Sequence, residues 1–282
     1  MSQLDLQKLA YEARDHVVVE HEDGIAWLRI NRPEKRNAIS VGMAIRLRDV
    51  LAELEVDDSC GVVVITGTGD SFHSGMDLKG YFRATDGLSH EARRQISEIN
   101  NDWQWRRIIS YMKPTIAMVN GYCFGGGLNP ACACDLAVAA DTAIFGVSEI
   151  NWGIIPAGNV LKLLESVMSP RDALYYAMTG KTFTGAEAAQ MRLVTLSVPP
   201  EDLRTTTANL AKSLLEKNPH ALRAIKHSYH RIRNMSWDDA EDFLASKQDQ
   251  TRFRDPTMGR DQGMKQFLDD KTYRPGLGSY KR

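Results

Sequence analysis

Two glycine-studded stretches hold the residues best suited to stabilising charge. Ser74-Gly75-Met76-Asp77-Leu78 and Gly125-Gly126-Gly127-Leu128-Asn129-Pro130 each follow an apolar, strand-like run. Glycine lets backbone approach a ligand closely, and a backbone N–H at a helix N-terminus favours negative charge. Two such N–H groups converging on one oxygen would form an oxyanion hole. Taken singly, each stretch is more simply a tight turn at a strand end. Neither has the glycine spacing of a dinucleotide fingerprint or the Gly-Lys-Ser/Thr of a Walker phosphate loop. Cys60, Cys123, Cys132 and Cys134 are too few for a disulfide scaffold, and no His stands at zinc spacing from them. They read as buried small side chains, and no metal site is expected.

Regular structure must hold these stretches in place. Val17-Val18-Val19 and Gly24 to Ile30 predict a strand pair turning at Glu22-Asp23-Gly24. Asn31-Arg32-Pro33 breaks the second strand. Ser40 is placed to cap a helix whose Met43, Leu47, Val50, Leu51 and Leu54 follow the 3.6-residue period. Val62 to Thr66, opened by Gly61, is a β-branched run that predicts a strand buried on both faces. After a loop from Gly67 to Gly87, Ser89 caps a longer predicted helix with Ala92, Ile96, Ile99 and Trp103 on one face. The order then recurs. Thr115 to Val119 predicts a strand behind Pro114, followed by the triple glycine, a helix, a buried strand over Asp135 to Ala139 and a short one over Ile144 to Gly146. From about Pro200 the chain reads as helical and more polar, with stops near Asn218-Pro219 and Asp255-Pro256. Strands alternating with helices predict an α/β architecture with largely parallel pairing. The expected boundaries are 1–200 for the core and 201–282 for a helical region. That region is too poor in apolar residues to stand alone, so it should pack on the core or on a neighbouring subunit.

Composition excludes several classes. The 35 Lys+Arg against 36 Asp+Glu leave a formal charge of −1, no footprint for nucleic acid or an anionic membrane. Hydrophobic residues at 43% recur along nearly all of the chain, which excludes general disorder. The apolar runs are too short to span a membrane, the first ten residues lack a signal-peptide layout, and the end is no peroxisomal tripeptide. A soluble cytoplasmic protein is expected.

Four ordered motifs sharpen the reading: Asn-Arg-Pro-Glu-Lys-Arg-Asn-Ala from Asn31, Ser-Phe-His-Ser-Gly-Met-Asp-Leu from Ser71, Val-Asn-Gly-Tyr-Cys-Phe-Gly-Gly-Gly from Val119, and the run from Cys134 to Gly153. Together they resemble the crotonase (enoyl-CoA hydratase/isomerase) superfamily over about the whole chain. Within it, Asp77 to Phe82, Ser148 to Gly153, Leu174 to Phe183 and Gly263 to Lys271 resemble the hydroxycinnamoyl-CoA (feruloyl-CoA) hydratase-lyases. Those enzymes hydrate a cinnamoyl thioester and cleave it to an aromatic aldehyde, vanillin for example, and acetyl-CoA. The resemblance implies an α/β fold, a crotonase-like spiral of ββα units with a C-terminal helical segment, in trimers or paired trimers. It implies no cofactor, since CoA belongs to substrate and product.

The resemblance also assigns roles. Met76 and Gly126 match the two backbone donors to the thioester oxygen, and Glu149 matches the catalytic carboxylate. Lys35 and Ala38 fall where the family contacts the CoA nucleotide, with Ser74, Gly75, Asp77 and Leu78 along the CoA-binding stretch. Tyr81 matches a residue that binds the para-hydroxyl, Trp152 lines the aromatic pocket, and Ser148 and Asn129 lie beside the acyl group. The chemistery of one carboxylate suffices for such a reaction: a base activates water and, once protonated, serves as acid. In a largely apolar pocket its pKa should be raised.

Three positions depart from the pattern. Simple hydratases carry a second catalytic Glu where this chain has Asn129, which cannot exchange a proton as a carboxylate does. Hydratase-lyases usually have Ser or Thr there, so Asn129 either holds water or caps the helix leading into Pro130. Ala245 stands where close relatives have a Tyr that helps grip the phenol, and Ala157 where a relative has glycine. The competing expectations are a hydratase or another crotonase-type lyase on a different aromatic or bulky enoyl-CoA, and a non-catalytic homologue that binds RNA or protein.

Overall fold

The computed structural model describes residues 5–274 and 276–282. The first four residues of the stretch read for a signal peptide lie outside them. Ten strands form among the described residues: β1 (Val17–Glu22), β2 (Ile25–Ile30), β3 (Val62–Gly67), β4 (Ser71–His73), β5 (Thr115–Val119), β6 (Tyr122–Phe124), β7 (Leu136–Ala140), β8 (Ile144–Gly146), β9 (Thr182–Thr184) and β10 (Leu196–Val198). A six-stranded sheet runs β1-β2-β3-β5-β7-β10 and a four-stranded one β4-β6-β8-β9. Only β1–β2 and β8–β9 pair antiparallel. Glu22 pairs with Ile25, so the hairpin loop is Asp23-Gly24 alone, both at positive φ (51° and 79°). That is the primed turn whose twist matches the strands, and it leaves Glu22 inside β1 rather than in the turn.

The helices are α1 (Leu6–Glu12), α2 (Val41–Val56), α3 (His90–Asn101), α4 (Arg107–Ser110), α5 (Leu128–Ala133), α6 (Val160–Val167), α7 (Pro170–Thr179), α8 (Gly185–Gln190), α9 (Leu203–Leu215), α10 (Pro219–Ile232), α11 (Trp237–Arg254) and α12 (Gly259–Leu268). The Ser40 and Ser89 hydroxyls cap α2 and α3 as expected, accepting from Met43 and Ala92 N–H. Three times the chain lays a strand in the large sheet, a strand in the small sheet and then a helix: β3-β4-α3, β5-β6-α5 and β7-β8-α6. This is the expected spiral of ββα units. Every residue of β3 and β5 is buried, because parallel strands here are covered on both faces.

Asp135 does not begin β7, contrary to the sequence reading. Its carboxylate accepts from Thr115 N–H (2.7 Å), Thr115 Oγ1 (2.9 Å) and the Lys226 ammonium (2.9 Å). Three donors hold it in the turn and tie α10 to the sheet. Beyond residue 200, α9 buries Leu203, Thr207 and Ala211 and packs on β2, β3, β5, β7 and β10. By contrast α11 buries no residue and packs on α10. No helix among the described residues is long and apolar enough to cross a membrane.

Candidate active site

The strands β4, β6 and β8 are parallel neighbours, with His73 opposite Cys123 and Phe124 opposite Gly146. Whatever follows their C-terminal ends is therefore brought together. Met76 follows β4, Gly126 follows β6 and Glu149 follows β8. Three successive turns of the spiral each contribute one piece.

Met76 pairs with Ile39 in an isolated parallel bridge. Ile39 uses its own groups, donating to Gly75 O (3.0 Å) and accepting from Asp77 N–H (2.9 Å). In parallel pairing this turns the Met76 N–H away from Ile39, free for a ligand. Gly75 at φ 96° permits the approach: a Cβ there would lie 3.1 Å from Phe124 O and 3.8 Å from Gly126 N. Gly126 lies in a 3₁₀ turn, Gly125–Gly127, that leads into α5. The first N–H groups of such a helix have no intrahelical acceptor. The two loops thus adjoin with one open donor from each. His73 braces the first: Gly75 N–H donates to its Nδ1 (3.2 Å), and burial lowers the imidazole pKa to about 3, keeping it a neutral acceptor.

Glu149 begins a 3₁₀ turn, Glu149–Trp152, behind Ser148, whose side chain makes no capping bond. It is no surface carboxylate. A Cβ on Gly125 would lie 3.0 Å from Glu149 Oε1, and Glu149 Oε2 is buried with no hydrogen-bond partner. Burial pushes its carboxyl pKa up, against a backbone hydrogen bond that pulls it down. A carboxyl with a raised pKa is a stronger base once ionised, which suits taking a proton and returning it.

Asn129 is 1% exposed and does not cap α5 but lies inside it. Its Nδ2 donates to Gln104 Oε1 (2.9 Å) and Gly158 O (3.0 Å), while Oδ1 is buried without a partner. Gln104 in turn donates to Met76 Sδ (3.3 Å). Sequence reasoning missed Gln104. Its signal is a polar amide on a buried helical face: Ile96, Asn100, Trp103 and Gln104 are all buried at i, i+4, i+7 and i+8. The stretch Asp102–Arg106 that carries it is π-helical, an irregularity that recurs at functional sites.

Tyr81 sits on a second π-helical turn, Leu78–Arg83, and is 9% exposed, its phenol pushed up by burial against a hydrogen bond with Ser97. The Asp77 carboxylate is engaged within the protein. It accepts from Lys79 N–H and Gly80 N–H, both at 2.8 Å, and from the Arg32 guanidinium at 2.6 Å. Burial would raise its pKa, but these donors hold it below the ordinary range. Ser74 bridges to the Lys35 side: its N–H donates to Arg36 O (3.1 Å) and its hydroxyl reaches Lys35 O (3.5 Å). Lys35 and Leu78 are exposed and Ala38 half-buried. Asn37, also missed, staples this loop from within, donating to Thr68 O (3.0 Å) and Ser71 O (2.6 Å).

Other residues are not enclosed by the single chain. Trp152 is 65% exposed on the turn that carries Glu149, and Ala157 is exposed beyond it. Ala245 is exposed on α11. All four cysteines are buried and free, and burial pushes the Cys132 and Cys134 thiols up to about 12, as inert small side chains require.

Glu149 lies against the glycine turn, beside the loop of Met76, on a ββα spiral, and comparisons with known proteins give that spiral its family. The family model for enoyl-CoA hydratase/isomerase matches residues 20–274, and the chain belongs to that family. It is 53% identical to a hydroxycinnamoyl-CoA hydratase-lyase of Pseudomonas fluorescens over 273 residues, 96% of this chain and 99% of that one. It is 31% identical to a 2,3-dehydroadipyl-CoA hydratase of Escherichia coli, over 91% and 96% of the two chains. A solved enoyl-CoA hydratase from Mycobacterium smegmatis superposes with a TM-score of 0.82 at 25% identity, covering 93% of this chain and 98% of that one.

Proposed function

We propose that this protein is a cytoplasmic hydratase-lyase acting on hydroxycinnamoyl-type CoA thioesters such as feruloyl-, coumaroyl- or caffeoyl-CoA. The observation that carries the reading is the half-buried Glu149, whose Oε2 is buried without a partner, packed against the glycine turn that offers Gly126 N–H. The thioester oxygen lies between Met76 and Gly126 N–H, which stabilise the enolate. Glu149 takes a proton from water as the oxygen adds to C3, then returns it to C2. It next removes the β-hydroxyl proton. The C2–C3 bond breaks, the aldehyde leaves, and the acetyl-CoA enolate held in the same hole takes the proton back at C2. This chemistry changes no oxidation state through a carrier, so the proposal includes no cofactor beyond the substrate's CoA.

Tyr81 meets the ring hydroxyl, with Trp152, Ser148 and Asn129 around the acyl group. Lys35, Ala38, Ser74, Gly75 and Leu78 run along the CoA, and Asp77 acts by shaping that turn. The assembly is a homotrimer or dimer of trimers, in which a neighbouring subunit would cover apolar side chains that one chain leaves open, such as Trp237 and Phe253 of α11. Incubation with a panel of cinnamoyl-CoA esters tests the reading, with aldehyde and β-hydroxyacyl-CoA followed separately. Aldehyde with acetyl-CoA supports it. Asn129 and Ala245 favour a second reading, a hydratase or other lyase on a different aromatic or bulky enoyl-CoA, which β-hydroxyacyl-CoA without aldehyde would support.

A further inference from the structure

We infer that Gln104 is a positioning residue: it locks the Asn129 amide so that Asn129 Oδ1 accepts a hydrogen bond from the water that Glu149 deprotonates. The inference rests on the reaction proposed above. Its basis is the hydrogen-bond chain Gly158–Asn129–Gln104–Met76 and the oxygen that the chain leaves over.

A carbonyl can only accept, so the Gly158 O contact at 3.0 Å requires nitrogen on that side of the Asn129 amide. The second Asn129 N–H meets Gln104 at 2.9 Å, so Gln104 must present its oxygen there and its NH₂ elsewhere. That NH₂ points to Met76 Sδ at 3.3 Å. With both Asn129 N–H groups taken, its Oδ1 has one orientation, and there it is buried with no protein partner. Leaving such an oxygen unpaired is costly, so a water or the reacting hydroxyl belongs on it. Glu149 Oε2 is the other unpaired buried oxygen of the site. The two flank one glycine turn: Glu149 Oε1 packs against Gly125, and Asn129 follows Gly127 by two residues in α5. A water bridging them donates one hydrogen to Asn129 and the other to Glu149. An amide there orients the water without competing for its proton, so all proton transfer passes through Glu149.

Gln104 also lies against the oxyanion loop, with Nε2 3.5 Å from where a Gly126 Cβ would stand. Its influence on Asn129 is separable from that contact by a double-variant cycle. Gln104→Leu leaves the Asn129 amide free to turn. The expected result is a roughly 10- to 100-fold loss of kcat in Gln104→Leu with KM within about two-fold. Asn129→Leu should lose as much, and the Gln104→Leu/Asn129→Leu double variant no more than Asn129→Leu alone. Unchanged kcat in Gln104→Leu, or losses that multiply in the double variant, overturns the inference.

A crystal structure with acetyl-CoA reads the same point without turnover. An ordered water on Asn129 Oδ1 in the wild type, displaced in Gln104→Leu, supports the inference; an empty Oδ1 overturns it. If no cinnamoyl-CoA ester is turned over, the proposed reaction fails while this structural result still decides the role of Gln104.

Discussion

The spiral core and the C-terminal helices solve different problems. In the core, β3 and β5 are buried throughout, and the three residues proposed for the chemistry follow the ends of three paired strands. From α10 onward the chain is anchored by few groups, chiefly the Lys226 ammonium on Asp135, while Trp237 and Phe253 of α11 are 93% and 92% exposed. The contrast separates chemistry from selectivity. The proposed oxyanion donors, the carboxylate and Tyr81 lie within one chain, but Trp152 and Ala245, also expected at the ring, lie on surfaces that one chain leaves open.

The sharpest test of the core's half of this contrast is Glu149→Gln. It keeps the shape but cannot carry a proton, so turnover should fall roughly 10²- to 10⁴-fold with acetyl-CoA binding within a few-fold. Near-wild-type turnover would remove Glu149 from the mechanism. The raised pKa adds a stability signature with a definite sign. A carboxyl whose pKa is raised by folding favours the folded state at pH values below its unfolded pKa, and that contribution is lost as pH rises through the folded value. Glu149→Gln should therefore raise Tm relative to wild type at neutral pH, and the gain should vanish near pH 4, where both side chains are neutral. A Tm difference independent of pH would show that the carboxyl is not desolvated.

Next in size is the donor at Gly126. A Cβ there meets nothing closer than 3.5 Å, so alanine fits and keeps the N–H. Proline also suits the first turn of a helix but has no N–H. Gly126→Pro should cost roughly 10²- to 10³-fold in kcat and Gly126→Ala only a few-fold. Equal losses in the two would mean that loop shape, not the donor, sets the rate.

On the other side of the comparison, Lys226→Met should loosen the C-terminal helices from the core. Breaking a buried pair costs about 3 kcal/mol when the remaining carboxylate keeps some donors, as Asp135 keeps Thr115. Urea unfolding measures this, and kcat of the folded enzyme should change much less. Activity lost in step with stability would join the two regions that the structure separates.

The smallest effect is expected at Ala245. If α11 closes the ring pocket in the assembly, Ala245→Tyr supplies a phenol partner worth on the order of 1 kcal/mol. Preference for 4-hydroxy over 4-methoxy cinnamoyl-CoA, as a ratio of kcat/KM, should rise by about 10-fold. An unchanged ratio would leave α11 outside the pocket.

Much of the fold was readable from local pattern. The Ser40 and Ser89 caps, the β-branched run of β3 and the alternation of strands with helices all follow from neighbouring residues. The errors are local too: Asp135 was read into a strand because an apolar run follows it, although three donors hold it just outside β7. Asn129 was open between a cap and a water holder because a side chain before a proline fits either. Its contacts with Gln104 and Gly158 come from distant segments, and they exclude the cap.

The sequence by itself determined the glycine turns, the caps and the order in which the chain delivers them, because these act over a few residues; Met76, Gly126 and Glu149 were singled out by the resemblance of their motifs rather than by local pattern. The tertiary structure alone decided that Met76, Gly126 and Glu149 meet, that Glu149 is desolvated, and that Asn129 has one oxygen to spare. Those outcomes depend on parallel pairing of β4, β6 and β8 and on water being excluded between whole turns of the spiral, which no local window of sequence contains.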